Sequence, residues 1–207
     1  MPEEKRAITI RHLLDGTSGL ANFHGRPDDA DRDLSWISRE EAIRRMMERP
    51  LLFEPGSDRA PSHSAYGVLA AIVELVSGDS YGDFLRTNFF APAGMERTGL
   101  YGESLGLDPD RFAVGYGQQA SDPNIPPEWG PASWLVMGSG GMVSSPHDLR
   151  RWLQFLQSDG PLEGEWQGPY TRPGAATGGS DRGFMAVTAW DGAGSLSRFN
   201  VWTGKTL

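Results

Sequence analysis

In "SAYGVLAAIVELVSG" the apolar residues Leu69, Ile72, Val73 and Val76 recur at helical spacing, which predicts a helix opening at Ser64 or Ala65 and closing at Gly78. Other helices are expected on local grounds. "TIRHLL" has Thr9 placed as an N-cap, and "SREEAIRRMMER" pairs Ser38 with Glu41 as a capping box and stops before Pro50. "SYGDFLRTNFF" reads as a short helix halted by "APAGM". In "SSPHDLRRWLQFL" Ser145 is the cap, Pro146 is the first helical residue and Asp148 closes a capping box. The preceding "GSGG" permits backbone to pass close to another segment. Near the end the period changes: "GFMAVTAW" and "SRFNVWTG", joined by "DGAG", predict an antiparallel hairpin. Between residues 102 and 131 the chain is irregular, with one short strand expected at "RFAVGYG". Helices first and a hairpin last give an α+β class. With 207 residues and no internal repeat, a single domain over 1–207 is expected.

Composition narrows the function classes. The net charge of −8 argues against a nucleic-acid partner, which calls for a basic face. The longest apolar run, Val68 to Val76, includes Glu74 and is too short to span a bilayer, so no membrane partner is expected. The start, "MPEEKRAITI", is charged and lacks an apolar signal core, so the chain as it stands is expected to be soluble and cytoplasmic. Without cysteine there is neither thiolate chemistry nor a zinc–sulfur site.

The search for reactive groups turns on two scarcities. Lysine occurs only at Lys5 and Lys205, and arginine stays protonated and cannot act as a base. A Ser-x-x-Lys pair would place a hydroxyl and an accepting amine on adjacent helical turns, but Pro2 and Trp202 occupy the positions three before the lysines. There is no G-x-S-x-G turn either. Of the four histidines, His12 reads as a packed or capping residue, His24 as solvated in a polar loop, and His147 as a buried, hydrogen-bonded neutral group. His63 is flanked by Ser62 and Ser64, but consecutive side chains diverge and do not normally form a nucleophile–base pair. Histidine spacing offers no metal motif, the acidic cluster at Asp28–Asp33 has no calcium-loop glycine, and no cofactor is implied.

Several blocks together resemble the serine beta-lactamase-related hydrolases, the family of class C beta-lactamases, D-alanyl-D-alanine carboxypeptidases, D-aminopeptidases and related esterases. "ITIRHLLDGTSGL" is similar to that family's "ITIRHLLTHTSGL", and "FEPGSDRAPSHSAYGVLAAIVELVSGDSYGDFL" to its block ending in a Tyr-x-Asn loop and helix. "PAGMERT", "GSGGMVSSPHDLRRWLQFL" and "TGGSDRGFMAVTAW" follow in the family's order.

The resemblance implies a beta-lactamase/transpeptidase-like fold, here a helical lobe with part of an antiparallel sheet. The family's first strands, its Ser-x-x-Lys helix and its closing helix are expected to be absent. In its register Pro61 stands at the proton-moving tyrosine, His63 at the substrate-contacting asparagine, and Thr177 at the basic residue before glycine. Proline has nothing to titrate. Ser62, His63, Gly179 and Ser180 are the substrate-facing candidates, with the Ser180 N–H as an oxyanion donor. The expectation is a non-catalytic relative, its cleft open to a small amide or ester. The alternative is part of an active acyl-serine hydrolase. A further alternative places different chemistry at Ser62 or Ser64 with His63. Apolar faces such as Leu69–Ile72–Val76 would stay uncovered and favour self-association.

Overall fold

The computed structural model describes residues 2–24, 34–115, 121–157, 184–190 and 196–202. Five α-helices are described: α1 (Ile10–Asp15), α2 (Arg39–Glu48), α3 (His63–Ser77), α4 (Tyr81–Leu85) and α5 (Pro146–Gln157). Two antiparallel strand pairs accompany them. β1 (Gly99–Leu100) pairs with β2 (Met142–Val143), and β3 (Phe184–Trp190) with β4 (Leu196–Trp202) in the register Phe184–Trp202 to Trp190–Leu196. The helix-then-hairpin order expected from the sequence holds.

The caps explain where helices start. Thr9 accepts the His12 N–H at 3.1 Å, and the His12 ring nitrogen Nδ1 accepts the Thr9 N–H at 3.4 Å. His12 is therefore a capping histidine. Ser38 accepts from the Glu41 N–H at 3.2 Å, but no reciprocal bond to the Glu41 carboxylate closes the expected capping box. The Glu41 carboxylate turns to Arg44 and Arg45, whose hydrogen bonds hold it down at about 2. α3 opens at His63, one residue before the earliest predicted start, because Ser62 takes the cap. α4 runs on into a π-helical turn over Arg86–Phe90.

α3 is the central element, and three kinds of contact fix it. Buried Ala70 joins Ile37, Ala42, Met46, Leu135 and Met137 in the main core, and Ala65 joins Leu13 and Leu20 in a second cluster. Near its C-terminal end, the Glu74 carboxylate accepts from the Arg39 guanidinium and from the Tyr81 N–H, each at 2.8 Å, linking α2 and α4. Along its flank, the 138–141 turn passes so close that a Cβ on Gly138 would lie 2.4 Å from the Tyr66 carbonyl oxygen and 2.8 Å from the Ala70 Cβ. This is the close passage that "GSGG" predicts.

Buried Ser133 knits the far side. Its hydroxyl accepts from Ile37 N–H and donates to the Ser35 carbonyl, while its N–H donates to the Tyr101 phenol at 2.7 Å. Burial raises the Tyr101 phenol above its ordinary range, and the Ser133 bond opposes that shift. The phenol stays neutral.

Three further local expectations fail. "RFAVG" forms no strand: after a 3₁₀ turn at Pro109–Arg111 its backbone makes a single bridge-like bond, Gly115 N–H to Asn124 C=O. Residues 116–117 lie outside the described chain. His147 is 58% exposed rather than buried. The buried residue is its neighbour Asp148, and its carboxylate does not close a capping box. It accepts from the Arg97 N–H at 2.7 Å and the Thr98 hydroxyl at 2.9 Å, tying α5 to the start of β1. The helix-starting proline and the Ser145 cap stand as predicted, with Asp148 N–H donating to Ser145 at 3.1 Å.

Gly138 and Gly78 share a φ of +79°, but nothing lies within 4 Å of a Cβ at Gly78. Gly78→Ala should therefore lose about 1 kcal/mol, the left-handed backbone penalty alone. Gly138→Ala should lose about 3 kcal/mol, because the clash with backbone adds to the same penalty. Urea unfolding of the two variants measures the difference, and equal losses would disprove the close packing.

Candidate functional site

The candidate site is the loop from Glu54 to Ser62 with the first turn of α3. The loop folds on itself through Ser57, whose N–H and hydroxyl both donate to the Glu54 carbonyl. It lies along the segment Gly16–Asn22. Leu52 N–H donates to Gly19 C=O at 2.8 Å, Gly56 N–H to Thr17 C=O at 2.8 Å, and Ala60 N–H to Gly16 C=O at 2.9 Å. At the tip, the Asn22 side-chain oxygen accepts the His63 N–H at 2.8 Å, and the Ser64 hydroxyl donates to Ala21 C=O at 2.7 Å. The loop is rigid because its backbone polar groups are spent on a neighbouring segment.

Ser62 is extended (φ −141°, ψ 112°), so its side chain and those of its neighbours alternate. Ser62 is buried, and its hydroxyl accepts the Ala65 N–H at 3.0 Å. Pro61 and His63 are both exposed. The tip thus presents residues 61 and 63 on one side while hiding 62.

The serine–histidine alternative gains nothing from this geometry. Ser62 is a cap, and Ser64 is fully buried on Ala21. The His63 ring instead stands beside the His24 ring, centroids 5.7 Å apart at 40°. His24 is half-buried with an edge contact to Phe23 at 4.8 Å, so it is not the solvated loop histidine that the sequence suggests. The parts that Asn22 and His24 play at the tip are not legible in the sequence. They lie some forty positions from the tip in a turn-rich stretch with no period to reveal which way they face. Thr177, Gly179 and Ser180 lie outside the described residues. Lys5 is buried, with its amine 3.1 Å from Glu4. Among the described residues no group of three or more His, Cys, Asp or Glu could hold a metal ion.

The family model described as Beta-lactamase matches residues 2–204. A penicillin-binding protein of Bacillus subtilis (strain 168) is 32% identical over 169 residues, covering 74% of this chain and 36% of that protein. Esterase EstB of Burkholderia gladioli is 34% identical over 125 residues, covering 56% of this chain and 31% of that one. Among solved structures, D-amino acid amidase from Ochrobactrum anthropi SV3, complexed with D-phenylalanine, superposes with a TM-score of 0.57 at 27% identity. That match covers 75% of this chain and 46% of the amidase. The chain thus spans between about a third and a half of the length of these proteins.

Ser62→Ala should lower stability by about 1 kcal/mol, the usual worth of an N-cap, and Ser62→Asn should restore most of it. Urea unfolding and hydrogen exchange at the Ala65 amide check this. Unchanged exchange in Ser62→Ala would mean that the cap does not hold the tip.

Proposed function

Since the chain belongs to the beta-lactamase family of serine hydrolases and their relatives, we propose that this stretch shapes a substrate-binding wall without itself supporting acyl transfer. The observation that carries the reading is Pro61, exposed at the apex of a loop whose neighbouring hydroxyls are already committed. A group at that point has to exchange a proton with the substrate or nucleophile, and proline has none to give. The 207 residues also hold no Ser-x-x-Lys pair. Where members of a coupled catalytic unit are replaced, rate falls by several orders of magnitude.

The cleft side of the wall suits a small amide or ester. The amidase relative is complexed with D-phenylalanine and another relative is an esterase, chemistries that share a planar acyl group. His63 would contact such a ligand through its exposed ring, in the role that the resemblance gives to asparagine. The backbone N–H of Ser180 would be its oxyanion donor.

A second reading is favoured by length: this chain spans 36% of the penicillin-binding protein it matches. Within a longer polypeptide, a Ser-x-x-Lys helix from elsewhere could meet this wall and acylate. Pro61 and His63 weigh against that reading, because added chain does not change either side chain.

Incubation with nitrocefin, p-nitrophenyl acetate and D-phenylalanine amide, beside a fluorophosphonate serine probe, separates the two. No turnover and no labelled serine is the expected result. Saturable turnover with stoichiometric labelling would refute the non-catalytic reading, and loss of that activity in His63→Ala would assign it to the tip.

Self-association also belongs to this reading. Leu75 and Val76 are 82% and 80% exposed at the end of α3, beside an open groove lined by Ile43, Met47, Val68 and Ile72. Light scattering after gel filtration should show species above 22.6 kDa that Leu75→Glu with Val76→Lys returns to monomer. A monomeric parent chain would end this part of the proposal.

A further inference from the structure

Several arginines answer to carboxylates or carbonyls. Arg39 meets Glu74, Arg44 meets Glu41 and Glu48, Arg86 meets Asp83 and Glu103, and Arg151 donates to the Gly94 carbonyl. Arg97 and Arg111 are among those that do not, and they share a cavity. Both are exposed, neither has a carboxylate in ion-pair range among the described residues, and both line one cavity of about 170 Å³ beside β1 and β2. Its other walls are apolar, chiefly Leu105, Leu107, Phe112 and Pro126.

Two features show how the chain makes this concavity. Leu105 is the one described residue other than glycine with a positive φ, at 52°, a conformation uncommon for a leucine. Its turn is closed by the Leu107 N–H on Ser104 C=O, and it lays its side chain so near Gly99 that a Cβ there would be 2.6 Å from Leu105 Cδ2. The leucine thereby becomes a wall over β1. The serines at the cavity are already engaged: Ser144 lies 2.8 Å from the Thr98 hydroxyl, and Ser145 accepts the Asp148 N–H. The buried Asp148 carboxylate is held by the Arg97 N–H and by Thr98, with Arg151 at 3.5 Å, and makes no ion pair with the Arg97 side chain. The polar capacity left to the cavity is cationic.

We propose that this cavity is a binding site for a small carboxylate with an apolar body. The carboxylate bridges Arg97 and Arg111, whose planar guanidinium groups match its geometry, and the body lies against Leu105, Leu107 and Phe112. An apolar pocket with a few convergent polar groups is the usual form of a small-ligand site. On a chain of net charge −8, two arginines at one apolar cavity give an anion a local point of attraction. The site is independent of the acyl-transfer question, since it includes neither residue 61 nor residue 63.

Calorimetric titration of the full chain with phenylacetate tests it, with phenylacetamide, acetate and sulfate as comparisons. Phenylacetate should bind saturably, and the amide, acetate and sulfate should each bind about tenfold more weakly or worse. Arg97→Gln and Arg111→Gln should each weaken phenylacetate about tenfold, whereas Arg150→Gln, an exposed arginine off the cavity, should not. Thermal melts confirm that the variants are folded. Should a glutamine variant unfold, Arg97→Lys and Arg111→Lys replace it, and these are expected to weaken binding through loss of the planar fork. No saturable binding below about 20 mM overturns the proposal. So does affinity unchanged by the arginine variants, or sulfate and acetate binding as well as phenylacetate, which would reduce the site to an exposed charge.

Discussion

Most of the described molecule depends on how closely α3 can be approached. At Gly138 a passing turn comes within a distance of the Tyr66 carbonyl that no side chain tolerates, and at Gly67 the Met46 methyl fills the space a Cβ would need. These contacts fix the helix against translation, and dense packing carries that constraint outward. The Glu74 carboxylate then fixes its far end by joining α2 and α4 to the same point. With a helix so placed, the residues at its N-terminus have determined positions before any chemistry is asked of them.

The chain separates architecture from reactivity at the tip of that helix. What holds the Glu54–Ser62 loop is backbone bonding to Gly16–Asn22, the Ser62 cap and the buried Ser64 hydroxyl. None of these involves the side chains of residues 61 and 63. An extended Ser62 with its hydroxyl turned inward requires that its two neighbours face out, whatever they are. The side chain at residue 61 can therefore vary without touching the folding interactions. Proline even suits an extended approach to a helix N-terminus, since its fixed φ and missing N–H ask for no partner. The loop's architecture is thus independent of the side chains it presents.

The same separation explains what the sequence makes legible. Caps and periodicity are local, so Thr9, Ser38, Ser145, Gly78 and the β3–β4 hairpin can be read from a few neighbouring residues. Residues whose partners lie far along the chain are misread. Asp148 satisfies the local pattern of a capping box, yet spends its charge fifty positions away on Arg97 and Thr98. His147, beside it, is left exposed because the helix turns its neighbour inward. His24 looks like a loop residue, but ring contacts with Phe23 and His63 draw it to the site. "RFAVG" has strand-like alternation, but among the described residues no ladder forms beside it.

Pro61 bears on any longer polypeptide that contains this stretch. A nucleophile helix supplied from elsewhere would bring its hydroxyl and amine to the wall, but it would meet a tip with several backbone donors already committed. Ala60 N–H is on Gly16, His63 N–H is on Asn22, and Ala65 N–H is on Ser62. A backbone N–H does not titrate and cannot stand in for a phenol as a proton carrier. The exposed group that remains is the His63 imidazole, two residues along on the same side. Proton transfer is sensitive to placement at the scale of a hydrogen bond, and a ring displaced by two residues of extended chain is about 6–7 Å from where a tyrosine side chain would begin. Acylation at this wall would therefore have to route its proton through His63 along a different path, or through the amine alone. The architecture of the tip is the same on either path, because none of its bonds uses the side chain of residue 61 or 63.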